Sequence, residues 1–369
     1  MKAWPLVGIV LMQAFLTLAH WFIYRTWIAF WVPLSQPAAL WLGGAVLLLS
    51  LSFILAALLG FYFSAPPVAL LYKVAAVWLG LLNFFFWAAC LCWLALPVLW
   101  LAGIAPHRPL VAAVLFGLAL AASLYGLLNA RWVRVRRVAV TLPNLPASWR
   151  GRTALLLSDL HLGHVNGLRF ARRMVALGAS LRPDIVFIPG DLFDGAKADS
   201  QRMAAPFRDL AAPYGLYFST GNHDEFGGAN HYAEVLKGAG IRVLNNEMLV
   251  VDGLQILGAS YGDSTYPMRL HATLGSLGLE TGRASILLSH VPNRLPIVEQ
   301  AGISLLLCGH THGGQIFPFN WLTRRVFGKF TYGLQRFGAL QVYTSSGAGT
   351  WGPPMRVGTH PEIVLLTFA

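Results

Sequence analysis

Thr153-Ala154-Leu155-Leu156-Leu157-Ser158-Asp159-Leu160-His161 is the stretch on which the fold turns. Residues 154–157 form a short unbroken apolar run, the pattern of a strand buried on both faces, and a polar cluster follows at once. The same grammar recurs four times. Gly190-Asp191 follows a strand at 185–188, Gly221-Asn222-His223-Asp224 one at 216–219, Ser289-His290 one at 286–288, and Gly309-His310-Thr311-His312 one at 305–307. Further strands are predicted at 256–257, 341–344 and 363–367, and residues 168–181 have helical spacing with three arginines on the polar side. Strands alternating with helical stretches indicate an α/β layered domain, in which functional residues gather beyond the carboxyl ends of the strands. All five clusters therefore converge on one rim.

Their side chains suit a pair of divalent cations, which need oxygen and imidazole donors and one shared carboxylate. Asp159 and His161 stand two apart on a strand exit, where a bend turns both toward one ion. Asp191, with a glycine before it that lets the backbone come close, is the natural bridge. Asn222 offers an amide oxygen, His290 and His310 offer imidazoles to the second ion, and His312 closes the first. Singly, each residue reads as a turn, cap or hydrogen-bonded structural group; the ordered set of seven does not. The expected ion is Mn2+, although Fe and Zn2+ accept the same mixed ligands.

With its Asp-x-His, Gly-Asp, Gly-Asn-His-Asp, lone His and Gly-His-x-His motifs intact, the stretch 152–368 resembles the calcineurin-like metallophosphoesterase superfamily. That resemblance implies a four-layer αββα sandwich. It assigns one metal to Asp159, His161, Asp191 and His312, and the other to Asp191, Asn222, His290 and His310. It also makes His223 the residue that contacts the scissile phosphate and protonates the leaving oxygen, with Asp224 orienting it. Gly313-Gly314-Gln315 and the run from Gly347 to Pro354 are similar to a membrane-associated branch that includes the transmembrane protein with metallophosphoesterase domain and YkuE- and YaeI-like phosphodiesterases.

The N-terminal third has a different texture. Of 369 residues 56% are hydrophobic, too many for one soluble body, and the first carboxylate is Asp159. Ten basic residues precede it, so the net charge of +12 belongs mostly to this region and the remainder is nearly neutral. A stretch without carboxylates and with sparse Lys and Arg is what a bilayer selects. Four apolar runs, at 6–24, 39–63, 72–101 and 109–128, are long enough to cross as helices, separated by breaks at 33–37, 64–67 and 103–109. The expected organisation is membrane helices over 1–130, a basic juxtamembrane segment and linker over 131–150, and the catalytic domain over 151–369. Arg131 to Arg137 reads equally as an interfacial segment or as a first strand. Lys2, Lys73, Arg131, Arg134, Arg136 and Arg137 on one side outnumber Arg25 and Arg108 on the other, which places the domain in the cytoplasm at the inner membrane.

Other groups lack such context. His164, His231, His271 and His360 read as surface or supporting residues, Asp194, three after the bridge, as a loop residue before a support for the site, and Cys90, Cys92 and Cys308 as buried thiols. Residues 300–361 hold no carboxylate but contain Trp321, Arg324, Arg325, Phe327, Lys329, Phe330, Arg336 and Arg356, a mixture that suits lipid headgroups or a groove for an anionic lipid, and nearly as well an ordinary loop with buried aromatics. Arg356 is the candidate substrate-phosphate contact. The expected activity is hydrolysis of a phosphodiester or pyrophosphate in a lipid-linked substrate, such as UDP-2,3-diacylglucosamine in lipid A synthesis, with membrane lipid as a partner. The alternative is a transporter or sensor whose soluble domain binds a phosphorylated ligand. Ion-coupled transport lacks an intramembrane carboxylate, and a nuclease lacks a basic groove.

Overall fold

The computed structural model describes residues 4–31 and 34–369. Lys2 and Pro33, used above for orientation and for a chain break, lie outside the described residues. The chain divides into a helical unit, Met1–Leu128 with Gly352–Met355, and a sheet unit, Asn129–Trp351 with Arg356–Ala369. The second boundary differs from the sequence expectation, since residues 352–355 cluster with the helices. Gly80 makes the room, because a Cβ there would come within 2.5 Å of the Met355 sulfur.

The helical unit holds α1 (Trp4–Phe30), α2 (Gln36–Tyr62), α3 (Pro66–Leu101) and α4 (Arg108–Arg131), all long and apolar enough to cross a membrane. Prolines at the first turns of α2 and α3 cost no hydrogen bond there. Large apolar side chains such as Leu40, Trp41, Leu48 and Trp100 face outward, as lipid permits and water does not. Two polar pairs bond between helices: Trp78 Nε1 donates to His20 Nε2 at 2.8 Å and Trp93 Nε1 to Thr26 Oγ1 at 2.9 Å. Cys90 is half-buried rather than buried, while Cys92 is enclosed.

The sheet unit contains twelve strands in two six-stranded sheets. The first orders β1 (Arg134–Val140), β12 (Glu362–Phe368), β2 (Thr153–Leu156), β3 (Ile185–Pro189), β4 (Leu216–Ser219) and β5 (Ile241–Val243). The second orders β10 (Gly333–Phe337), β11 (Leu340–Thr344), β9 (Leu305–Cys308), β8 (Ser285–Leu288), β7 (Leu254–Gly258) and β6 (Glu247–Val251). Period-two alternation divides each central strand between two cores. Leu156, Phe187, Ile256, Ile286 and Leu307 meet between the sheets, while Leu155, Val186 and Ile188 face an outer helical layer and Leu287, Leu306 and Cys308 face the other. Four layers result, and each enclosed leucine contributes about 2 kcal/mol of burial. Residues 134–140 form a strand, one of the two readings open for the basic segment. They pair with β12 in parallel from Arg134 opposite Glu362 to Val140 opposite Phe368, because an edge strand tolerates arginines on its open side.

Candidate metal centre

The site forms where β2, β3, β4, β8 and β9 end. The exits of β2, β3 and β9 turn abruptly: Asp159, His161, Asp191, His310 and His312 all have positive φ, from 47° to 68°. Such backbone costs about 1–3 kcal/mol per non-glycine residue and concentrates at functional sites. Close approach requires glycine beside them. A Cβ on Gly190 would lie 2.6 Å from His290 Nδ1, and one on Gly309 would collide with Ser158 and the Asp159 carboxylate.

The carboxylates then tie the turns together. Asp159 Oδ1 accepts from the His310 amide at 2.9 Å, and Asp191 Oδ1 from the His223 amide at 2.9 Å. Asp191 Oδ2 lies 3.6 Å from His161 Nε2 and 3.1 Å from His290 Nε2, between two clusters of donors. On one side His161 Nε2 and His312 Nε2 are 3.1 Å apart, with Asp159 Oδ1 3.5 Å from the latter. On the other, His310 Nδ1 is 3.1 Å from Asn222 Oδ1 and 3.3 Å from His290 Nε2. The structure thus brings all seven expected ligands together, in two groups that meet at Asp191.

The electrostatics suit cations. Asp159 and Asp191 are both almost fully enclosed, and burial raises Asp159. Burial also works against ionised Asp191, but His290, His161 and His223 hold it well below the usual carboxylate range. For His290 burial is outweighed by Asp191 and Asp159, which carry it up to about 10. Burial and then His290 push His310 down to about 3, and burial and then Arg356 hold His312 far below its ordinary value. The two buried carboxylates call for positive charge beside them, which the raised His290 supplies as a proton and which divalent ions fit equally. The imidazole orientations fit too. His290 Nδ1 sits 2.9 Å from the Pro189 carbonyl and His161 Nδ1 3.3 Å from Asp194 Oδ1, leaving each Nε2 directed inward.

Three residues depart from the sequence reading. Asp224 does not orient the His223 ring: its carboxylate accepts from the backbone amides of Asp191 at 2.7 Å, Gly221 at 2.9 Å and Phe193 at 3.1 Å. Burial and then the Asp191 charge raise it to about 7. His223 is instead held at Nδ1 by the Asp194 carbonyl, at 3.0 Å. Asp194 therefore contacts two histidines, which favours the supporting role that its position three residues after Asp191 allowed over the loop reading. Arg356 is fully buried, with Nη1 donating to the His312 carbonyl at 2.8 Å and Nη2 to those of Ser346 and Gly349 at 2.7 and 2.6 Å. So enclosed, it is a positioning group and not a substrate contact. The partly exposed His223 ring lies between Phe226 and Trp351, with centroid distances of 6.3 and 6.1 Å, and both aromatics are open to solvent.

Comparison with known proteins agrees with this geometry. The calcineurin-like phosphoesterase family matches residues 153–314. An uncharacterized metallophosphoesterase of Campylobacter jejuni is 34% identical over 238 residues, covering 63% of this chain and 62% of that protein. A Danio rerio protein named transmembrane protein with metallophosphoesterase domain is 34% identical over 259 residues, covering 65% and 59%. Phosphodiesterase YaeI of Escherichia coli is 29% identical over 237 residues, covering 58% and 80%. The chain spans about three fifths of the length of the first two relatives.

Proposed function

We propose that this chain, which carries a calcineurin-like metallophosphoesterase domain, is a membrane-anchored dinuclear phosphoesterase that cleaves a phosphodiester or pyrophosphate bond in a lipid-linked substrate. One ion is assigned to Asp159, His161, Asp191 and His312, and the other to Asp191, Asn222, His290 and His310. Two divalent cations supply Lewis acidity there, acidifying water and neutralising phosphate oxygens. His223 has its Nδ1 engaged by a carbonyl, so Nε2 is the atom that meets the substrate and passes a proton to the leaving oxygen. Asp194 fixes that ring, Asp224 locks the turns carrying Asp191 and Gly221, and Arg356 secures the His312 turn.

The observation that carries the substrate class is the pair of exposed aromatics, Phe226 and Trp351, flanking His223 in a chain with four membrane-length helices. Apolar walls at the mouth of a phosphate site favour a phosphoester with a hydrophobic substituent, and UDP-2,3-diacylglucosamine is a substrate of that chemistry. Mn2+ is the ion to load first. The excess of basic residues flanking α1–α4 on one side supports a cytoplasmic domain at the inner membrane.

Purified full-length protein with Mn2+ should hydrolyse such a lipid faster than soluble p-nitrophenyl esters. Phe226→Ala and Trp351→Ala should raise KM for the lipid about tenfold and leave soluble esters unaffected, as loss of about 1.4 kcal/mol of apolar contact implies. Lipids left intact while soluble esters turn over rapidly would refute the substrate class.

A further inference from the structure

The helix Phe319–Phe327 contradicts the usual economy of a soluble fold. It contains no buried residue, and one face carries Phe319, Leu322 and Val326, spaced i, i+3, i+7, while Trp321, also exposed, projects from a different side. Trp321 is 77% exposed and Val326 67%. The helix rests on its neighbours through its other side, where Phe327 stands edge-on to His310 at 6.2 Å between ring centroids. Arg325 lies next to the apolar stripe. On the flank a cavity of about 400 Å3 is lined by Arg324, Lys329, Thr331, Tyr332 and Gln335.

We infer that this helix is a membrane-seating surface: Phe319, Leu322 and Val326 enter the headgroup region of an anionic bilayer, while Arg324 and Lys329 receive a phospholipid phosphate. The charge pattern chooses the occupant. From residue 300 to 361 there is no carboxylate, so the basic side chains around the stripe have no acidic neighbour in sequence and meet a negative surface without repulsion. An aromatic and aliphatic stripe bordered by Arg and Lys is the arrangement that lies in a lipid interface. A bilayer is also the one surface that a chain with α1–α4 meets whenever it is folded. The inference deepens the lipid-linked reading, since Phe327 connects the seated helix to a metal ligand.

The test is the depth of a nitroxide on the full-length chain, reconstituted into phosphatidylcholine vesicles with and without 30% phosphatidylglycerol. Labels are placed at Leu322→Cys and Val326→Cys, with Lys237→Cys as the water-exposed control, after replacing Cys90 and Cys92 by alanine. In anionic vesicles the ratio of oxygen to nickel-chelate collision should be several-fold higher at 322 and 326 than at 237. Arg324→Gln with Lys329→Gln should reduce that ratio toward the control. Equal water exposure at all three positions would overturn the inference. So would dipolar broadening between labels that is indifferent to lipid charge, which would make the stripe a contact between copies of the chain. Because no hydrolysis is read, this result and the substrate assay fail independently.

Discussion

Nη2 of Arg356 lies 3.0 Å from Nδ1 of His312, and the same guanidinium donates to the His312 carbonyl at 2.8 Å. One arginine thus holds both the ring and the backbone of a predicted ligand, which gives its removal a distinctive signature.

Arg356→Ala removes the side-chain donor to the carbonyls of Ser346 and Gly349 in a sealed interior, and leaves that of His312 with the Gln315 amide alone. The expected loss is about 3–5 kcal/mol of stability together with depleted metal, read by thermal unfolding and elemental analysis. Arg356→Lys should recover little of it, since an ammonium cannot reproduce the planar fork. A variant with normal metal and stability but a raised KM would restore the substrate-contact role.

Asp194→Asn removes the charge behind His161 and keeps its shape. Metal affinity or turnover should fall about 10- to 100-fold, as for other carboxylates that support a ligating histidine. Titration with Mn2+ and initial rates distinguish the two losses. His223→Ala, by contrast, should cut turnover about 100-fold or more with metal content preserved; equal loss of both would make His223 a ligand.

Metal uptake by chelator-stripped protein should strengthen with pH. His290 is raised to about 10, so at neutral pH it holds a proton that an incoming cation displaces. Affinity therefore climbs between pH 7 and 10, by up to about tenfold per unit, with proton release on binding. Without metal the sign for folding is opposite: the His290 contribution is complete below pH 6.5 and disappears as pH rises through about 10. Competition against a fluorescent chelator across this range checks the first, and chemical denaturation of stripped protein the second.

Gly309→Ala places a methyl group where Ser158 and Asp159 already stand. About 1–3 kcal/mol of overpacking is expected, with displacement of Asp159 and metal loss ahead of unfolding. Retained metal at wild-type stoichiometry would show that the β9 exit can shift to accommodate it.

The central strands were legible because burial on both faces leaves only apolar residues, as at Leu155-Leu156 or Leu305-Leu306-Leu307. Edge strands obey weaker rules. β1 mixes arginines with valines, and β5 is three residues long, so neither announces itself in composition. The seven ligand positions were readable from order and chemistry, and the structure brings their side chains together. The contacts of Asp224 and Arg356 were not, because they depend on turns through left-handed backbone whose direction no local pattern encodes.

β12 lies between β1 and β2, although the chain synthesises it more than two hundred residues after both. The helices can insert as they emerge, but β1 has no neighbour until the ribosome has passed Phe368. A premature stop between His312 and Glu362 would leave β1 and β2 without the strand they share, a target for quality-control proteolysis even with every proposed metal ligand translated.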